Sequence, residues 1–280
     1  MKQKNREYII LLCVMIFSIY SCRKSNYVLD NTRRIVDNGE GVGTTTWIAD
    51  NEYLLDGFVF VNDGQTLTIE PGTVIRARTG QGEHASALIV ARGGRIIADG
   101  NSLNPIIFTV EGDDLNGSVP LEAKGLWGGV IILGNAPLNN RSGEAAIEGI
   151  PVSEPRGIFG GTHEADNSGI LRYVSIRHGG TNIGEGNEIN GLTLGGVGNQ
   201  TTIEFIEVIS IADDGVEIFG GTVHCRYIVS AFCDDDAIDY DLGYQGKGQF
   251  WLAIQSTTTG DAIGEHDGGT VPESGRPFSM

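Results

Sequence analysis

The feature that most constrains the fold is a short motif that recurs at a nearly constant interval. A turn containing Asn or Asp is followed by an apolar–polar–apolar run, and successive copies start 24, 22 and 25 residues apart. The four copies are NGLTLGG (190–196), DGVEIFGG (214–221), DAIDYDLG (236–243) and DAIGEHDG (261–268). A period of this length without helical segments is typical of a β-solenoid, in which stacked coils bury a core that one coil cannot bury alone.

Short apolar runs continue this pattern from Trp47 onward. Each run has about the length of a strand, and the runs alternate with turns rich in glycine and asparagine. The chain has 42 glycines among 280 residues, a content that weakens helices and suits tight turns. We therefore predict an all-β fold, a parallel β-helix that forms a single domain over residues 46–280.

The N-terminus has the pattern of an export signal. Three basic residues precede a 13-residue apolar core, residues 8–20, which is too short to span a bilayer comfortably. The core ends in IYSC, which resembles the lipobox of bacterial lipoproteins and makes Cys22 the predicted lipidated residue. We predict a signal peptide at 1–21 and a polar, lipidated tether at 22–45. The alternative is an ordinary secreted protein with a free cysteine near its start.

Several longer motifs carry a resemblance to a known family. They are TLTIEPGTVIRA, ALIVARGGRIIADGNSLNPIIFT, WGGVIILGNAP and FGGTHEADNSGILRYVSIRHGG, followed by the repeat region that begins at Asn190. Over roughly residues 47–268 the chain is similar to surface lipoproteins of the Bacteroidota with a pectin-lyase-like β-helix. The resemblance implies a right-handed coil and a lipid-anchored place in the outer membrane, at the cell surface or on the periplasmic face. It implies little about activity.

Acidic side chains gather where two consecutive repeats are aligned. If Val216 and Ile218 point inward, Glu217 points outward, and Asp239 takes the same outward position one coil later, ~4.8 Å away. Like charges at this distance repel, and a cation or a shared proton relieves the repulsion. Carboxylate oxygens are the ligands that Ca²⁺ prefers. The candidate Ca²⁺ ligands are Asp214, Glu217, Asp235, Asp236 and Asp239.

Two other interpretations of the same acids stay open. Asp and Asn at a solenoid corner form their own backbone hydrogen bonds, so the repeat is explained largely as turn chemistry. The spacing of Glu217 and Asp239 is also close to the ~5–5.5 Å that separates the carboxyl groups of retaining glycosidases. Turn chemistry does not require Asp235, Glu217 or Asp239. These three carboxylates are therefore the acidic residues that the turns alone leave unexplained.

Charge and motif content narrow the function. A formal net charge of −17 argues against a nucleic-acid partner, because phosphate binding needs a basic face. The sequence has no zinc-protease, Cys-x-x-Cys or phosphate-loop spacing. We therefore predict a lipid-anchored binding, adhesion or display module for glycan or protein partners, without catalysis. The alternative is a carbohydrate-active enzyme that uses Glu217 and Asp239.

Two features near the C-terminal end are left undecided by the sequence. Cys225 and Cys233 flank a predicted strand, and they are either a disulfide in an export compartment or two small buried side chains. After the last repeat, TVPESGRPFSM (270–280) is too short to cover an exposed strand edge. We therefore expect a solenoid that is truncated at this end or completed by a partner or by self-association.

Overall fold

The computed structural model describes residues 31–184 and 187–268. Its strands, in chain order, are β1 (Thr32–Ile35), β2 (Thr45–Trp47), β3 (Glu52–Leu55), β4 (Phe58–Val61), β5 (Thr66–Ile69), β6 (Val74–Ala77), β7 (Ala87–Val90), β8 (Arg95–Asp99), β9 (Ile106–Val110), β10 (Val130–Leu133), β11 (Glu144–Ala146), β12 (Ile158–Gly160), β13 (Gly169–Arg177), β14 (Asn182–Gly184), β15 (Asn187–Glu188), β16 (Leu192–Gly195), β17 (Thr202–Ile209), β18 (Val216–Phe219), β19 (His224–Ala231), β20 (Ile238–Asp241), β21 (Lys247–Ile254) and β22 (Glu265–His266). Two short 3₁₀ helices, Gly82–His84 and Pro155–Gly157, lie in connections. Within the described ranges, no helix is long and apolar enough to cross a membrane.

Most of the strands form two parallel sheets that the chain visits in turn. The eleven-stranded sheet, sheet A, follows the order β1-β3-β6-β9-β13-β17-β19-β21, with β2, β5 and β8 attached. The seven-stranded sheet, sheet B, follows the order β4-β7-β10-β16-β18-β20-β22. From β16 onward, successive strands alternate between the two sheets, so each coil adds one strand to each sheet. The predicted all-β parallel β-helix is confirmed, and a right-handed sense is the rule for parallel crossover connections.

The inward faces of the two sheets share one apolar core. In sheet B, Val216 is in register with Leu192 on one side and Ile238 on the other. In sheet A, Ile206 is in register with Ile228. All five side chains are buried. Each coil therefore completes the core of its neighbours, and truncating one such side chain to alanine costs about 2–5 kcal/mol of stability.

The solenoid begins earlier than the sequence predicts. Strand β1 pairs in parallel with β3, with Ile35 opposite Leu55. The prediction of a tether at 22–45 is therefore wrong for residues 32–45. The reason is that β1 is the edge strand of sheet A and packs only Ile35 against the core, so the segment lacks the apolar alternation by which strands are recognised.

The last repeat is shifted by one residue from its predicted alignment. Asp239 is in register with Glu265 and Tyr240 with His266, which is a step of 265 − 239 = 26 residues rather than 25. Because side chains alternate along a strand, this shift moves Ile263 out of the inward position that the repeat assigned to it. Ile263 is 69% exposed as a result.

A second apolar cluster lies on the outer side of sheet B. Phe60, Ile89 and Ile131 form a single outward column in consecutive strands. The long connection after β10, which contains the β11–β12 hairpin, packs against this column through Leu138, Ile147, Ile150 and Phe159. The sequence analysis predicted one core, because the apolar residues of the connection have no period that aligns them with the solenoid.

Sheet A carries a ladder of aromatic rings at a bend in its long strands. Tyr173, Phe205, Tyr227 and Phe250 stack with ring centroids 4.4, 4.4 and 4.8 Å apart. Each has a φ between 49° and 60°, a left-handed backbone that bulky residues rarely adopt. The rings cover one another's faces, so the ladder stabilises the bend of β13, β17, β19 and β21.

Candidate functional site

Three acidic residues occupy one outward column of sheet B, which we call the acid column: Glu217, Asp239 and Glu265. Glu217 in β18 is in register with Asp239 in β20, and Asp239 with Glu265 in β22. Thr193 in β16 holds the equivalent position one coil earlier. The predicted pairing of Glu217 with Asp239 is confirmed. Glu265 was not predicted to lie in this column, because it reaches the position only through the one-residue register shift of the last repeat.

The turns that enter these strands hold two further columns. Asp214 accepts the backbone N–H of Asp236 at 2.9 Å, and Asp236 accepts that of Ala262 at 2.6 Å. The neighbouring turn position repeats as Asp213, Asp235 and Asp261, and the N–H of Asp261 donates to the carbonyl of Asp235. Turn chemistry therefore explains Asp214 and Asp236, because their side chains link one coil to the next.

An acid from a distant part of the chain joins the acid column. Glu148 lies in the connection between β11 and β12, and its Oε1 accepts a hydrogen bond of 3.0 Å from Nδ2 of Asn190. The same amide group donates to the Glu217 carboxylate. Sequence analysis missed Glu148, because no repeat or motif aligns it with Glu217.

Burial and mutual repulsion raise the pKa values of these acids. Glu217 is only 8% exposed, and its burial, followed by the neighbouring Glu148 carboxylate, raises its pKa far above the ordinary value. Burial also raises the pKa of Asp214 to about 8 and of Asp213 to about 7. The pKa of Asp239 rises to about 6 for the same leading reason. The carboxyl groups of the cluster therefore bind protons more tightly than isolated carboxyl groups do, and a bound cation can replace those protons.

The geometry of the donors fits a calcium-sized ion. Asp214, Glu217 and Asp239 each offer a carboxylate oxygen, and these oxygens lie within 4.8 Å of one another. Ca²⁺ binds oxygens at 2.3–2.6 Å, so two ligands on opposite sides of the ion are about 5 Å apart. Oδ1 of Asp239 is buried and finds no hydrogen-bond partner among the described residues. An oxygen in that situation is suited to a cation, because burial without a partner is otherwise costly.

The five predicted ligands do not converge on one point. Asp214, Glu217 and Asp239 form one group, whereas Asp235 and Asp236 form another with Asp261. A third group joins Asp214 and Asp235 to Asp213. Asp213 and Asp261 are therefore candidate ligands outside the predicted five, and the repeating turn is the sequence signal that identifies them.

A polar cleft of about 480 Å³ opens beside the turn acids. It is lined by Asp213 and Asp235 of the repeats, by Glu188 and by the loop residue Lys124. Lys124 is ion-paired with Asp234 and donates a 3.3 Å hydrogen bond to the hydroxyl of Thr259. The exposed edge of the acid cluster thus faces a space large enough for a small polar ligand.

Several polar residues and both cysteines outside the acidic cluster have structural roles. Asp166, in the loop that also contains His163, accepts a 3.1 Å hydrogen bond from the Ser168 hydroxyl. Arg226 in β19 is ion-paired with Glu204 in the neighbouring strand β17. Cys225 and Cys233 are both buried and free. No disulfide joins them, so they are two small buried side chains.

These observations define the class of the protein as a parallel β-helix with an acidic site on the outer face of one sheet. A family model described as a pectate-lyase-like beta helix domain matches residues 39–277, and the chain belongs to that family. No curated protein and no solved structure matches the chain significantly. The fold and family fit a carbohydrate-binding or carbohydrate-active module.

Proposed function

We propose that the chain is a calcium-stabilised β-helix module that binds extended glycan or protein partners without breaking bonds. The observation that carries the proposal is the burial of Glu217 within the acid column. Glu217 is 8% exposed and hydrogen-bonded, together with Glu148, to one Asn190 amide. A carboxyl group held in this way is poorly placed to reach a polymer, whereas it is well placed to join Asp214 and Asp239 around an ion.

The bound ion would neutralise the negative charge of the clustered carboxylates. Asp214, Glu217 and Asp239 are the residues that would hold it, and their repulsion is the energetic reason for binding. The solenoid itself supplies the binding surface, because stacked coils present long rows of side chains to an extended partner. The family membership supports carbohydrate as the class of partner.

The proposal includes a lipid anchor at Cys22 and an outer-membrane location. Cys22 lies outside the described residues, so its support is the sequence motif IYSC alone. Metabolic labelling with a fatty-acid analogue should mark the wild type and leave Cys22→Ser unmarked. Equal labelling of the two proteins would refute the anchor and leave the binding proposal untouched.

The central experiment is a calcium titration of the soluble domain. We expect calorimetry to detect Ca²⁺ binding and the melting temperature to rise with calcium concentration, following RT ln(1 + [L]/Kd). The double variant Glu217→Gln/Asp239→Asn should lose most of this rise, while Asp166→Asn, an acid outside the cluster, should keep it. A melting temperature that ignores calcium in the wild type would leave the acids as turn residues only.

One observation favours a second candidate, a carbohydrate-active enzyme. Glu217 has a pKa far above the ordinary range, while that of Asp239 rises only to about 6. Adjacent carboxyl groups whose pKa values are pushed apart are the usual arrangement of a general acid and its partner. A panel of polysaccharides, assayed for new reducing ends or unsaturated products, tests this. Turnover that disappears in Asp239→Asn would reverse the ranking of the two functions.

A further inference from the structure

A second groove lies along the loop that follows β9, and no residue of the acid column lines it. Two adjacent clefts, of about 360 and 260 Å³, share Leu121 as a common wall. The larger cleft lies between the loop and the outer face of sheet A, and Arg177 and Glu207 form its floor. The smaller cleft is bounded by Phe232 and by a row of hydroxyl side chains, Ser256, Thr258 and Thr259. We call the two clefts together the loop groove.

The loop that forms this groove is held in place before any ligand binds. Asp113 is buried and accepts hydrogen bonds from the Thr109 hydroxyl at 2.7 Å and from the Leu115 N–H at 2.9 Å. At the other end of the loop, Nδ1 of His178 is 2.7 Å from the Ala123 carbonyl. A preformed groove loses less conformational entropy on binding, so such anchoring favours a binding role.

The two cations that line the groove are already paired. Nε of Arg177 donates to the Ser175 hydroxyl at 2.8 Å, and its NH2 group lies 3.2 Å from the Glu207 carboxylate. Lys124 is ion-paired with Asp234 in the same way. Each cation in the two linings is thus neutralised by a carboxylate, so the groove offers an acidic ligand no unpaired positive charge.

The remaining surface suits the two chemical faces of a sugar. Apolar side chains line the larger cleft, namely Leu115, Val119, Pro120, Leu121 and Ile209. They can cover the C–H face of a pyranose ring, and Phe232 offers a ring in the second cleft. The paired ionic groups and the threonine hydroxyls are donors and acceptors for sugar hydroxyls. Apolar walls with a few convergent polar groups are the usual character of a small-ligand site.

We propose that the loop groove binds a neutral oligosaccharide, with adjacent sugar units in the two clefts on either side of Leu121. This inference rests on the proposed function as a glycan-binding module, and it assigns the binding to a place distinct from the acid column. The ligand class follows from the lining, in which both cations are paired and carboxylates outnumber them, and from the net charge of −17, both of which disfavour polyanions.

The test is calorimetric titration of the soluble domain with cello-, xylo- and manno-oligosaccharides, and with oligogalacturonate as the acidic comparison. Leu121→Ala and Phe232→Asn remove the central wall and the ring, and asparagine tolerates the left-handed φ of 58° at position 232. We expect each variant to weaken binding of a neutral oligosaccharide at least tenfold. Leu103→Ala, at an 87% exposed leucine outside the groove, is the matched control and should bind as the wild type does.

The outcomes separate this inference from the proposed function. Binding of a neutral oligosaccharide that depends on Leu121 and Phe232 supports the groove. Binding of oligogalacturonate alone, or neutral binding that both variants retain, overturns the groove and leaves a glycan-binding module intact. Binding of no oligosaccharide by a domain whose melting temperature still rises with calcium also overturns the groove, and it confines the module to protein partners.

Discussion

Two outward columns of the same solenoid use opposite charge patterns. In sheet A, Asp99, Arg172, Glu204 and Arg226 follow one another in register, so acid and base alternate. Ion pairs join Arg172 to Asp99 at 2.8 Å and Arg226 to Glu204. In sheet B, the acid column stacks Glu217, Asp239 and Glu265 without an intervening base.

The backbone of the solenoid does not require the excess acid of sheet B. Both columns have the strand spacing of ~4.8 Å, at which two unit charges interact by about 3–4 kcal/mol at an effective dielectric constant near 20. In sheet A this interaction is attractive, and in sheet B it is repulsive. The column in sheet A has equal numbers of acidic and basic residues and is neutral. The acid column has no basic residue, so its charge must be neutralised by bound protons or cations. This requirement identifies the acid column as a candidate binding site.

The largest expected effect is a loss of stability with rising pH in the absence of calcium. The pKa values of Asp214 and Asp213 are raised to about 8 and about 7 in the folded state, so the fold binds protons more tightly than the unfolded chain does. Their contribution to stability is complete below pH ~4 and disappears as the pH rises through these values. We expect the free energy of unfolding to fall by on the order of 6 kcal/mol from pH 5 to pH 8.

Urea denaturation in a chelator at the two pH values measures this difference. Glu154, whose pKa is lowered by its hydrogen bond with Arg156, contributes in the opposite direction, but only near and below its ordinary value of 4.5. Calcium should restore most of the lost stability at pH 8 and little at pH 5, because it competes with protons for the same oxygens. Equal stability at both pH values without calcium would contradict the repulsion described for the acid column.

The second prediction converts the acid column into an alternating column. Asp239→Arg places a cation between Glu217 and Glu265, as Arg172 stands between Asp99 and Glu204 in sheet A. We expect a gain of about 2 kcal/mol in calcium-free stability at pH 8, since repulsion is replaced by attraction. The calcium response should be lost. The control is Asp239→Asn, which removes the charge without reversing it and should give a smaller gain in stability. A loss of stability in both variants would show that the Asp239 side chain has another structural role.

The third prediction concerns the acid that reaches the column from the connection after β10. Glu148→Gln removes the carboxylate that raises the pKa of Glu217, while an amide keeps similar hydrogen-bonding capacity. We expect about 1 kcal/mol of additional calcium-free stability at pH 8, and a smaller pH-dependent loss that is complete at a lower pH, because the pKa values of Glu217 and Asp213 fall when the Glu148 charge is removed. Glu144→Gln, in the same connection but ion-paired with Arg92, is the control and should leave the pH profile unchanged.

The smallest effect is expected in sheet A. Arg226→Ala breaks the ion pair with Glu204, but the arginine side chain is half exposed, so we expect only a small loss of stability. The loss should be the same with and without calcium. A loss of several kcal/mol, or one that calcium reverses, would mean that the two columns are coupled and that the comparison between them fails.

The repeat made the fold and the centre of the site predictable. The β-helix and the pairing of Glu217 with Asp239 follow from residues that are 22 positions apart in sequence and adjacent in register. Within one coil the number of residues fixes the register, because each inward apolar side chain must meet the one before it. Local spacing therefore contains the information, and the sequence by itself determined the architecture and the acidic pair.

Tertiary structure alone decided the features that break the period. Glu148 reaches the acid column because its connection packs Ile147 and Ile150 against the outer side of sheet B, and no spacing in the sequence encodes that packing. Glu265 enters the column through a one-residue shift of the last repeat. The loop groove is assembled from a loop after β9 and from strands more than 50 residues later. These contacts depend on which surfaces a long connection can bury, and that is settled by packing in three dimensions rather than by the period of the coil.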